Sequence, residues 1–132
     1  MDAEASGVPD TEEERRGLLM VEVSNAMVRL YKELFGRGPT KARASYAGPD
    51  LLVATLENSL TRIERTMAKS GEHERLRDLR MHFQYMAEHD FVRTVEQITG
   101  RRVRAFVSGM DTRKDVSTEI FYLEPESARA ET

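Results

Sequence analysis

Cysteine and tryptophan are both absent from this 132-residue chain. Without thiols there is neither a disulfide framework nor a thiolate metal site, a composition that fits a reducing, cytoplasmic setting. Imidazoles are scarce as well. Of the three, His73, His82 and His89, the last two are seven residues apart, where a helix that offers two ligands to one metal spaces them by three or four. Solvated or capping roles are expected for them, and no metal and no cofactor. No Gly-x-Ser-x-Gly elbow and no Walker loop occurs, so no catalytic residue is expected. No apolar run reaches eighteen residues, which rules out a membrane-spanning stretch and direct membrane insertion. The first residues are acidic (Asp2, Glu4, Asp10), where a secretory leader is basic and then apolar, and this again points to the cytoplasm.

What the chain does have is charge, at 33% of residues, beside 39% hydrophobic residues. At this length that supports one domain, with roughly two-thirds of the unfolded surface buried on folding. Residues 1–10 are small, acidic and punctuated by Gly and Pro, and are expected to be disordered. The folded domain is placed at 11–124 and a polar tail at 125–132. Thr11 with Glu14 makes a capping box, and Leu19, Val23, Ala26, Met27, Leu30 and Leu34 recur at helical spacing up to Gly36, predicting a long first helix. The period then changes to two over Lys41 to Tyr46 and again over Leu51 to Glu57, with Gly48-Pro49-Asp50 between them, which reads as a hairpin. Thr61 with Glu64 opens a short helix that places Ile63 and Met67 inward. From Glu72 to Thr99 the positions Leu76, Leu79, Phe83, Met86, Ala87, Phe91, Val95 and Ile98 keep one helical face, predicting a second long helix that stops at Gly100. Alternation over Val103 to Val107 and Val116 to Leu123 predicts a second hairpin. The fold class is therefore α+β: a four-stranded antiparallel sheet from two hairpins, with two long helices and one short helix packed on one face. Apolar residues on both sides of the strands exceed what a two-layer monomer hides, so a homodimer is expected.

The net charge of −3 is unevenly spread. Residues 1–36 carry eight acids against four bases, whereas 37–48 carry Arg37, Lys41 and Arg43 with no acid, and 101–110 carry Arg101, Arg102 and Arg104 with no acid. The first island, LFGRGPTKARA, joins those cations to Gly36 and Gly38, whose freed amides are suited to an oxyanion. Its other reading is a helix cap and a turn whose cations solvate a sheet face. Both islands begin a hairpin, so Arg102 and Arg104 supplement the first patch if the strands are neighbours, or pair across their own hairpin with Glu119. The candidate anion- or partner-binding residues are thus Gly36, Arg37, Gly38, Lys41, Arg43, Arg102 and Arg104. Nucleic acid is not an expected partner: the cations are few, the chain is acidic and no aromatics are interleaved among them.

Three stretches carry a resemblance: SNAMVRLYKELFGRGPTKARA at 24–44, LENSLTRIERTM at 56–67 and VEQITGRRVRAFVSGMD at 95–111. Together they resemble the small bacterial MpsC-like domain family, named for a sodium-translocating, membrane-potential-generating system, over about residues 17–124. Where sequences of that family often carry a glycine after the second strand, this chain has Glu57-Asn58-Ser59. The resemblance implies a soluble, non-enzymatic accessory or regulatory module of a membrane ion or inorganic-carbon system, with a membrane-system subunit as partner. The alternative is an enzyme acting on a small phosphorylated or carboxylated substrate at the same patch.

Overall fold

The computed structural model describes residues 11–126. The expected disordered segment 1–10 lies outside them, as does all but Pro125 and Glu126 of the expected tail. Eight elements follow in order: α1 (Glu12–Phe35), β1 (Lys41–Tyr46), β2 (Leu51–Glu57), α2 (Arg62–Lys69), α3 (His73–Met86), α4 (Glu88–Thr99), β3 (Val103–Asp111) and β4 (Val116–Leu123). The strands form one antiparallel sheet in the order β1-β2-β4-β3. The two hairpins therefore join through β2 and β4, and β1 and β3 are left as its opposite edges.

Local chemistry sets most of the boundaries. The Thr11 hydroxyl accepts from the Glu14 amide while the Glu14 carboxylate accepts from the Thr11 amide, and Thr61 and Glu64 repeat the exchange at α2. Each box satisfies two amides that the helix start would otherwise leave unbonded. Gly36 and Gly100, at φ 83° and 71°, close α1 and α4 in the left-handed region open to glycine. Asn58, at φ 60°, takes the same conformation after β2, where asparagine tolerates it better than most residues.

The expected second long helix is two helices. α3 ends at Met86, and the Ala87 carbonyl accepts from both Asp90 and Phe91 as α4 begins. Neither Pro nor Gly marks the break. What separates the halves is what they bury: α3 turns Leu76, Arg80 and Gln84 inward and packs on β3, whereas α4 turns Phe91 and Val95 toward α1. Leu79 and Met86, expected on the buried face, are 42% and 63% exposed. Ile63 of α2 is likewise outward, at 73% exposed, and Glu64 takes the inward place because Arg80 waits there.

The main core lies on one face of the sheet. Leu52, Ala54 and Leu56 of β2 and Phe121 and Leu123 of β4 meet Met20, Val23, Met27 and Tyr31 of α1 and Phe91 and Val95 of α4. Each large side chain buried there contributes about 2 kcal/mol. A run of rings from Tyr31 through Phe91 and Phe106 to Phe121, with centroids 6.0, 5.7 and 5.3 Å apart, crosses from helix to sheet. Leu60, Leu76 and Met110 form a smaller core beside α2.

Candidate functional site

The alternation of β1 decides where its cations point. Ala42, Ala44 and Tyr46 pack against the main core, so Lys41, Arg43 and Ser45 project from the face of the sheet away from the helices. Lys41 stands opposite Glu57, with Nζ 3.9 Å from the carboxylate. Arg43 is exposed and makes no ion pair among the described residues. The preceding loop is structural. The Gly36 amide donates to the Lys32 carbonyl, and the Arg37 guanidinium donates to the carbonyls of Asn58 and Leu60, both at 2.8 Å, tying the loop to the chain beyond β2. A Cβ on Gly38 would stand 3.2 Å from both Val28 Cγ1 and the Val28 carbonyl oxygen, so a glycine lets the loop lie close on α1.

The second island lies elsewhere. Arg101 is buried and hydrogen-bonds to the Pro49 carbonyl, the Asp50 carboxylate and the Glu124 carbonyl, at the β1–β2 turn. Arg37 binds at the other end of β2, roughly 20 Å away along a strand of that length. Across the sheet, the edge strands β1 and β3 are separated by β2 and β4. The two islands thus occupy diagonal corners and share no surface. Arg102 is exposed there, and Arg104, in the bulge between Val103 and Ala105, lies over the Tyr122 ring at 5.4 Å. It does not pair with Glu119, which sits on the opposite, helix-covered face.

Along the β1 edge the structure opens a groove of about 970 Å³ between the strand and α1. Met20, Val21, Ala42 and Ala44 give it an apolar floor, with Arg43 at its rim. Arg16 lies 4.0 Å from the centroid of the Tyr46 ring, and closes one end as a cation–π pair. Nothing within 4 Å would meet a Cβ on Gly17, so the helix side is shallow and open. The Arg16 and Tyr46 pair was not read from the sequence; its signal is an arginine one turn into α1 on the stripe that leads to Met20.

Two buried polar clusters also escaped the sequence reading. Arg80 is fully buried and grips Glu64 with two hydrogen bonds of 2.7 Å, donates to the Ser59 carbonyl at 2.8 Å, and lies 3.6 Å over the Phe35 ring. Burial alone would raise the Glu64 carboxyl, but the Arg80 and Thr61 hydrogen bonds and the Arg80 charge hold it below its ordinary value. Glu119, also fully buried, accepts from the Tyr31 hydroxyl at 2.5 Å and the Gln84 amide at 3.1 Å, while its other oxygen has no hydrogen-bond partner among the described residues. Gln84 in turn donates to the Ser108 hydroxyl at 2.6 Å. Burial pushes Glu119 up to about 7 against the pull of the Ser108 and Tyr31 hydroxyls and the more distant Arg80 charge. The Tyr31 hydroxyl is raised well above its ordinary value, by burial first and by Glu119 second.

Fold and surface define an α+β domain with a groove beside the β1 edge of its sheet. Residues 15–125 match the family described as Na+-translocating membrane potential-generating system (MpsC), and the chain belongs to that family. Neither the curated proteins nor the solved structures contain a match to it. Among the described residues, no helix is long and apolar enough to cross a membrane.

Proposed function

We propose that this chain is a soluble, cytoplasmic, non-enzymatic accessory or regulatory module of a bacterial membrane ion or inorganic-carbon system. It acts as a self-associating domain that contacts an anionic partner through the β1 edge. The observation that carries this reading is the family match over residues 15–125. It is supported by a described chain without a spanning helix, which leaves translocation itself to another subunit. Within the edge, Lys41 and Arg43 make the contact, and Gly36, Arg37 and Gly38 hold the loop that presents them. Arg43 contributes most because no carboxylate among the described residues neutralises it.

Affinity capture from detergent-solubilised membranes tests this. The tagged wild-type chain is expected to retain an integral membrane protein, and Arg43→Glu to lose it while keeping the wild-type unfolding midpoint. Equal retention by both, or no membrane protein on either, overturns the proposal.

A further inference from the structure

The β1 edge has a geometry suited to a second copy of itself. The Ala47 amide donates to the Leu51 carbonyl, which sets the phase of the β1–β2 ladder: with the observed register, the odd residues of β1 spend both main-chain groups on β2. The amides and carbonyls of Ala42, Ala44 and Tyr46 therefore point out of the sheet along a straight strand. That strand has no proline and no bulge, two of the devices that keep sheet edges apart. The other edge, β3, is interrupted by the bulge between Val103 and Ala105.

We infer that two copies pair β1 against β1 across a two-fold axis at Ala44, forming one eight-stranded sheet. The inference rests on the self-association just proposed and specifies its surface. Only even residues offer free groups, so the register must bring even against even. Centring on Ala44 sets Ala44 against itself and Ala42 against the other copy's Tyr46, giving about six main-chain hydrogen bonds. On the helix side a small side chain then faces a large one. On the open side Arg43 faces Ser45, whereas a shift of one residue in the axis, to Arg43, sets two guanidinium groups directly opposite, an unfavourable cross-strand pair. Val21, exposed at 59% on α1, lines the groove beside this edge. Pairing also draws Lys41 and Arg43 of both copies onto one ridge of four cations, so the contact patch is complete only in the dimer.

Sedimentation equilibrium of the full chain is expected to give twice the monomer mass of 15.1 kDa. Ala44→Pro removes an amide that points away from β2, so the monomer keeps its β1–β2 ladder, its far-UV circular dichroism and its unfolding midpoint while the dimer is lost. Ala44→Cys, the sole thiol in the chain, is expected to form an intermolecular disulfide under mild oxidation, since directly opposed residues of this kind lie about 5.5 Å apart at Cα. Val107→Cys on the open sheet face is expected to stay reduced. A wild-type monomer, a dimer that survives Ala44→Pro, or stronger cross-linking through Val107→Cys each overturns the inference. Capture of a membrane protein by a monomer would sink the pairing and leave the accessory role standing.

Discussion

Two buried carboxyls, Glu64 and Glu119, have the same chemistry and opposite behaviour. Glu64 faces a guanidinium that fits both its oxygens, and its charge is held. Glu119 faces a phenol, an amide and the Ser108 hydroxyl but, among the described residues, no cation within bonding distance, and it is driven toward its neutral form. Burial disfavours the charge in both; what differs is whether a full positive charge repays it. The two clusters therefore give stability opposite dependences on pH.

The largest effect is expected from breaking the paired side. Arg80→Ala leaves the Glu64 carboxylate buried without its cation and frees the Ser59 carbonyl, and is expected to cost about 3–5 kcal/mol, read as a lower urea midpoint at pH 7. Arg80→Met combined with Glu64→Leu is expected to recover most of that loss, because a shape-filling apolar pair has no charge to desolvate. A double variant as unstable as the single one would show that the guanidinium's packing on Phe35 of α1 and its bond to the Ser59 carbonyl, rather than the ion pair, carry the cluster.

This cluster also marks where sequence reading stopped. Both capping boxes, the Gly36 and Gly100 caps and the limits of β1 and β2 were legible because each depends on residues within a few positions of one another. The buried face of α3 was not. Apolar periodicity selects Leu79 and Met86, yet the inward stripe is Leu76, Arg80 and Gln84, and two polar residues on it become intelligible only when Glu64 and Glu119 are known to face them. Ser117 and Glu119 are hidden in the same way on the inward register of β4, between outward positions as apolar as Val116 and Ile120. The basic islands failed as one patch for a topological reason: strand order is a long-range choice, and β1-β2-β4-β3 sends the two hairpin starts to opposite edges.

On the unpaired side, Glu119 sets the pH dependence. Its carboxyl titrates near 7 in the fold and near 4.5 in the unfolded chain, so the folded state holds the extra proton between those values. The Glu119 contribution to stability is full below about pH 4.5, falls as pH rises through that window, and levels off above about 7. The loss amounts to about 3 kcal/mol as an upper figure. Glu64 works in the other direction, losing its contribution as pH falls through its depressed value. Glu119→Gln is expected to remove the decline between pH 4.5 and 7 while leaving the acid limb intact, checked by urea unfolding at half-unit pH steps. A decline unchanged in the variant would assign it to another group.

Tyr31→Phe tests the same site with a smaller change. It deletes the hydroxyl that donates to Glu119 and keeps the ring against Phe35 and Phe91. Loss of one buried hydrogen bond is expected to cost about 1–2 kcal/mol above pH 7, where the acceptor is charged, and less at pH 4. The hydroxyl helps to hold the Glu119 charge, so its removal is expected to carry the stability decline to higher pH. A cost independent of pH would mean that the phenol acts by packing alone.

The smallest effect is expected where water does the work that Arg80 does inside. Lys41 and Glu57 face each other across β1 and β2 with side chains 76% and 45% exposed, so their charges are solvated with or without the pair. Lys41→Ala is expected to cost less than about 0.5 kcal/mol, and in 0.5 M salt nothing measurable, because exposed charges at this separation are screened. The comparison with Arg80→Ala sets a cation against a carboxylate in both places, once in water at 3.9 Å and once buried in a two-point grip. If Lys41→Ala lowered the urea midpoint as far as Arg80→Ala, burial would not be what separates the two pairs.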